Sequence, residues 1–193
     1  MPRKNLIRTN QFPYHVTLRS NNRDWFELPL NEIWDICKSG LAHAYKIYPA
    51  DVEAFVLMAN HYHLLIWTPN SDLDKFMYEL NSYISKIIRF RTKRINRIFV
   101  DQESYYQQVL RYIYQNPIKA ELVEQCELYP YSSLYYMANE QDFGIPIYNH
   151  RRSIELMRSG YFEMEMDKRD TIAKALSRST FNVPKSRSSR RPI

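Results

Sequence analysis

Two apolar runs, residues 52–58 and 61–67, are separated only by Ala59 and Asn60. Both runs are short and rich in β-branched and aromatic residues, so each reads as a strand. Strands joined so closely are expected to pair as an antiparallel hairpin. The second run begins His61-Tyr62-His63. Residues two apart on a strand project from the same face, so both imidazoles point to one place. Two bare imidazoles on an apolar sheet would lose solvation with nothing in return. A metal ion is the simplest partner that satisfies both.

The flanking patterns build a sheet around this hairpin. Residues 14–19 alternate and read as a first strand, and Asn21-Asn22-Arg23-Asp24 as a turn. From Pro29 to about Tyr45, Ile33, Trp34, Cys37, Leu41 and Ala44 recur at helical spacing, weakened locally by Gly40. After the hairpin, Ser71 and Asp74 suggest an N-cap and an acidic first turn. The helix that follows carries Leu73, Phe76, Met77, Leu80, Ile84, Ile87 and Ile88 on one face. Residues 96–100 suggest a short strand, residues 104–116 a third helix stopped by Pro117, and residues 120–125 a short helical turn. This order predicts an α+β fold with an antiparallel sheet covered on one face by helices. Residues 154–166 and 170–176 are expected to be helical, and the Ser-, Arg- and Pro-rich residues 177–193 disordered on their own.

The 193 residues suffice for one sizeable core plus extensions. No apolar run approaches the roughly 20 residues that span a bilayer, and the first residues lack a signal-peptide core. Cys37 and Cys126 are isolated, which fits a reducing compartment and argues against a zinc-thiolate site. The expected location is the cytoplasm, with no membrane partner. Net charge is +6, and it is concentrated. Lys86, Arg89, Arg91, Lys93, Arg94 and Arg97 lie together at the expected end of the second helix, while Lys185, Arg187, Arg190 and Arg191 crowd the C-terminus. With 16 tyrosines to stack on bases, basic clusters of this kind suit nucleic acid. Arg19 is a further candidate phosphate contact.

A cation held by two histidines needs another ligand and an open position for substrate. On the third helix, Tyr106, Val109, Leu110 and Ile113 form the face expected to pack on the sheet. Tyr112 and Asn116, four residues apart, flank that stripe. Asn116 offers an amide oxygen as a ligand, and Tyr112 a phenol within reach of a bound substrate. A tyrosine close to a cation suggests nucleophilic attack on phosphorus, with the cation as Lewis acid. Covalent attachment would conserve the bond, giving strand transfer in place of hydrolysis. Tyr105, Tyr106 and Tyr114 share the helix, but Tyr106 lies on the apolar stripe and Tyr114 on the flank away from Asn116. His15 reads as a satisfied strand histidine or as a residue approaching DNA.

These residues resemble a known family. Met58-Ala59-Asn60-His61-Tyr62-His63-Leu64-Leu65 is similar to the HUH motif of single-tyrosine transposases. Arg111-Tyr112-Ile113-Tyr114-Gln115-Asn116-Pro117-Ile118-Lys119-Ala120 resembles the tyrosine helix of REP-associated tyrosine transposases. Pro130-Tyr131-Ser132-Ser133 resembles the segment that follows it, and Tyr14-His15-Val16-Thr17-Leu18-Arg19 the first strand. The resemblance spans roughly residues 10–136, in order. It implies a ferredoxin-like, RRM-like palm over residues 1–136, with a C-terminal helical extension over 137–176 and a basic tail over 177–193. It implies that His61, His63 and Asn116 bind Mg²⁺ or Mn²⁺ and that Tyr112 forms a 5′-phosphotyrosyl bond. The implied substrate is single-stranded DNA folded into hairpins, from palindromic repeats or element ends. Arg19, Lys86, Arg89, Arg91, Lys93, Arg94, Arg97 and Lys119 are then the DNA-binding candidates. The implied setting is bacterial and nucleoid-associated, as monomer or homodimer. Ala59 replaces a proline frequent in relatives. The sequence between Asn96 and Ser104 is shorter than theirs, which implies a lost strand or a stretch missing from this sequence. Two other readings share the fold: a non-catalytic nucleic-acid-binding module, and a metal-dependent nuclease that uses water.

Overall fold

The computed structural model describes residues 10–20, 26, 28–88, 92–99 and 103–163, with residues 20, 92–99 and 103–105 described by backbone alone. Strand β1 (Tyr14–Ser20) leads into helix α1 (Leu30–Ile47), then strands β2 (Asp51–Met58) and β3 (His61–Trp67), helix α2 (Leu73–Ile88) and strand β4 (Thr92–Phe99). The sheet order is β2-β3-β1-β4, with every neighbouring pair antiparallel. This βαββαβ path is the expected α+β, ferredoxin-like arrangement. Helices α3 (Glu103–Tyr114), α4 (Asn116–Lys119), α5 (Ser133–Ala138) and α6 (His150–Arg158) follow.

One face of the sheet is covered by α1 and α2. Tyr14, Val16 and Leu18 of β1, with Phe55, Leu57, Tyr62, Leu64 and Ile66, meet Ile33, Trp34, Leu41, Phe76 and Leu80 in a continuous core. Gly40 lets the two helices approach: a Cβ there would sit 3.1 Å from Leu80 Cδ1 and 3.3 Å from Tyr83 Cδ1. The layering is fuller than a sheet covered on one face. Ala54, Val56, Met58 and Leu65 make the other face apolar too, and Val109, Leu110 and Ile113 of α3 bury it together with Leu134, Met137 and Phe162. The stripe read from the sequence of α3 is the one that packs.

The chain beyond α4 also closes the outer edge of β2. Leu57 donates its backbone N–H to Tyr131 O at 2.9 Å, Tyr148 N donates to Val52 O at 2.8 Å, and Phe55 N to Ser133 Oγ at 2.9 Å. An edge bonded in this way cannot recruit another strand along that stretch.

Several local expectations are corrected. The fourth strand is present, running over Thr92–Phe99 instead of 96–100, and it pairs with β1 along its length. Helix α2 therefore ends at Ile88, and Lys93, Arg94 and Arg97 belong to β4 instead of a helix end. Pairing of Ile95 with Leu18 and of Phe99 with Tyr14 overrides the helical reading of the charge run. Asp72, not Ser71, occupies the cap position of α2, since its carbonyl accepts from Lys75 N and Phe76 N. Pro117 does not simply stop α3; it lies in the first turn of α4, where a missing N–H costs nothing. The short helical turn expected over 120–125 is instead a 3-10 turn at Cys126–Leu128, and the helix expected over 154–166 begins at His150 and ends at Arg158. The helix expected over 170–176, the tail over 177–193, and Arg89 and Arg91 lie outside the described residues.

Candidate active site

The two-residue turn makes His61 the first residue of β3, opposite Met58 on β2 and Arg19 on β1. His63 follows on the same face, opposite Val56 and Thr17. Their ring centroids are 4.9 Å apart, nearly perpendicular at 79°. Tyr62 points to the other face, where its hydroxyl donates to Asn81 Oδ1 at 3.1 Å and ties the strand to α2. The face carrying the histidines is therefore the one that α3 approaches.

Each histidine has its Nδ1 held by a neighbour. His61 Nδ1 lies 2.7 Å from Asn60 Oδ1. An amide oxygen only accepts, so this Nδ1 carries the proton and Nε2 keeps its lone pair. His63 Nδ1 lies 3.0 Å from His15 Nε2, and the two rings lie in nearly parallel planes, 8° apart. Both are almost wholly buried, His15 at 2% and His63 at 3% exposure. Neither His15 nor Asn60 was singled out as a site residue by its place in the sequence. Alternation along β1 puts His15, Thr17 and Arg19 on the face opposite Tyr14, Val16 and Leu18, but the bond to His63 follows only from the pairing of β1 with β3.

Burial pushes the His15 pKa down to about 3. Burial, then the positive charge of Arg19, brings His61 down to about 4. Both are neutral at pH 7, and neutral imidazole is the form that ligates metals.

Tyr112 comes to these rings from α3 of the same chain. Its ring meets His63 edge-on, with centroids 5.8 Å apart at 87°, and His15 at 6.1 Å and 79°. The other described tyrosines of this helix are committed elsewhere. Tyr114 is buried, with its hydroxyl 3.1 Å from Ser133 Oγ and 3.4 Å from Glu53 O, and burial raises its pKa. Tyr106 is raised by burial and then by the carboxylate of Glu53. Tyr112 is partly buried against the second core cluster.

Asn116 opens α4 one turn beyond Tyr112. Its Nδ2 donates to Tyr112 O at 2.9 Å and Ile113 O at 3.2 Å, closing the end of α3. The amide is thereby oriented, with Oδ1 as the end that could meet a cation. Among the described residues no group of three or more His, Cys, Asp or Glu is placed to hold an ion. His15 does not extend the pair, because its Nε2 is turned to His63. Two imidazole nitrogens and an amide oxygen are donors of a kind that a divalent ion accepts, with positions left over for phosphate oxygens.

The described basic candidates lie on several elements. Arg19 is exposed and pairs in register with His61. Lys86 lies in the last turn of α2, and Lys119 ends α4. Lys93, Arg94 and Arg97 lie on β4, where Arg94 is the register partner of Arg19. None of the described helices is long and apolar enough to cross a membrane.

No curated protein matches this chain. A solved REP-associated tyrosine transposase bound to a REP hairpin matches with a TM-score of 0.65 and 16% identity, covering 76% of this chain and 92% of that one. At that identity the likeness shows a shared fold. The family model for IS200-like transposases matches residues 8–124, which include β1, the histidine pair, Tyr112 and Asn116. The chain belongs to the IS200-like transposase family.

Proposed function

We propose that the protein is a DNA strand transferase that cleaves single-stranded DNA folded into hairpins through a covalent bond to Tyr112. The observation that carries this reading is the edge-on packing of Tyr112 against His63, within one chain. Nucleophile and candidate ligand thus share a face without help from a partner copy, so either a monomer or a homodimer can contain a complete site.

His61, His63 and Asn116 would hold a divalent ion, Mg²⁺ or Mn²⁺. That ion, when bound, supplies Lewis-acid stabilisation of charge on the scissile phosphate. Tyr112 Oη attacks phosphorus and gives up its proton to solvent. The bond to the 3′ oxygen breaks, that oxygen takes a proton, and the 5′ phosphate remains on Tyr112. Attack by a second strand's 3′ hydroxyl reverses the sequence and frees the phenol. Arg19, beside His61, would hold the phosphodiester, since a cation at that place repels a metal and attracts a phosphate oxygen. Lys86, Arg89, Arg91, Lys93, Arg94, Arg97 and Lys119 would carry the rest of the backbone. Residues 1–136 would form the catalytic part, 137–176 an extension and 177–193 a basic tail. A DNA substrate of this kind places the work in the bacterial cytoplasm, at the nucleoid.

The solved neighbour was captured on a REP hairpin, which makes such hairpins the first substrates to test. Incubation with hairpin oligonucleotides and Mn²⁺, followed by denaturing electrophoresis, should give a protein–DNA adduct. Tyr112→Phe should abolish adduct and cleavage while leaving hairpin affinity within about 2-fold. Cleavage that survives the substitution would mean a water-using nuclease. Binding without cleavage by the unsubstituted protein would mean a non-catalytic module.

A further inference from the structure

We propose that His15 is a positioning residue for His63: by accepting the Nδ1 proton, it holds the His63 imidazole in the tautomer whose Nε2 lone pair faces the site. The proposal rests on the reading of His63 as a ligand.

The argument is one of proton placement. A hydrogen bond between two imidazole nitrogens contains one proton, and the 3.0 Å separation of His15 Nε2 and His63 Nδ1 leaves two assignments. If the proton sits on His15 Nε2, a neutral His63 must carry its own on Nε2 and cannot ligate through that atom. If it sits on His63 Nδ1, His63 Nε2 has a lone pair, and His15 carries its proton on Nδ1. The second assignment makes His63 match His61, whose Nδ1–H is fixed by the amide oxygen of Asn60 at 2.7 Å. Both rings then carry their lone pair on Nε2, as two ligands that bind through that atom must.

The surroundings show why a histidine suits position 15. Its register partner on β3 is Leu65, so it stands two pairs further along the β1–β3 ladder than His63 and on the same face. With ring centroids 5.2 Å apart and nearly parallel planes, its Nε2 reaches His63 Nδ1 from the adjacent strand, while its ring meets that of Tyr112 edge-on. In this chain an imidazole thus takes the place that a carboxylate or backbone carbonyl commonly holds behind a ligating histidine.

The test uses the full-length protein and two substitutions. His15→Phe keeps a ring of similar size and removes the acceptor, whereas His15→Gln puts an amide oxygen near the position of Nε2. Imidazole nitrogen NMR on the metal-free protein reads the tautomer directly. His63 should be protonated on Nδ1 in the unsubstituted protein and in His15→Gln, and should shift toward a mixture in His15→Phe. Mn²⁺ affinity, read by EPR titration, should fall about 10- to 100-fold in His15→Phe and recover most of that in His15→Gln. A metal-free His63 protonated on Nε2 overturns the proposal, as does a His15→Phe protein that is folded and keeps the unsubstituted Mn²⁺ affinity. Should the unsubstituted protein bind no Mn²⁺, the ligand reading of His63 fails, and the tautomer measurement still decides what His15 does.

Discussion

Acid reaches His15 in the unfolded chain long before it reaches it in the folded one. The unfolded imidazole has the ordinary value of 6.5, whereas burial in the folded protein lowers it to about 3. The folded state therefore resists protonation, and stability falls as pH drops below 6.5, continuing until about pH 3. Between those values a single such group costs about 1.4 kcal/mol per pH unit. From pH 7 to pH 4.5 the loss from His15 alone comes to about 2.5 kcal/mol, a large fraction of the few kcal/mol that hold most domains together. His61 is shifted in the same direction and adds to the slope. Urea unfolding of the metal-free protein at pH 7 and pH 4.5 measures the total, and His15→Gln isolates the share of His15. Because glutamine does not titrate, the variant should lose about 2.5 kcal/mol less over that interval, about 1 M less of a shift in the urea midpoint. His15→Phe should behave likewise, whatever its stability at pH 7. Parallel pH profiles for the unsubstituted and substituted proteins would refute the reasoning, since they would mean that His15 takes up its proton in the folded state as easily as in the unfolded.

Tyr114→Phe removes a buried hydroxyl that meets Ser133 Oγ and Glu53 O, far from any role in bond-making. It should lower the unfolding free energy by about 1 kcal/mol and leave the covalent adduct with hairpin DNA undiminished, as thermal melts and denaturing gels would show. Arg19→Ala removes the exposed cation beside His61. Hairpin affinity should weaken for all sequences alike, and the slope of log affinity against log salt should flatten by about 0.7 to 1, in a fluorescence-anisotropy titration across salt concentrations. An unchanged slope would place Arg19 away from the phosphates.

The histidine pair and the tyrosine helix were legible because both depend on short-range periodicity. Period two fixes that His61 and His63 share a face, and the helical stripe Val109, Leu110 and Ile113 fixes how α3 must turn, which carries Tyr112 to the sheet. The fold class followed from the order of strands and helices. β4 was harder, because Lys93, Arg94 and Arg97 hide a strand whose backbone is settled by its pairing with β1. His15 was harder still. Its role depends on a bond to a residue 48 positions away, and no local pattern distinguishes it from a histidine satisfied by its own strand. It becomes visible only once β1 is paired with β3 in the observed register, since that pairing sets Thr17 opposite His63 and His15 two pairs along on the same face. A motif names atoms that touch substrate, because those sit on one element at fixed spacing. The groups that aim them come from neighbouring strands, and they are settled by register. That division explains why the same hairpin announces its chemistry in the sequence and conceals what orients it.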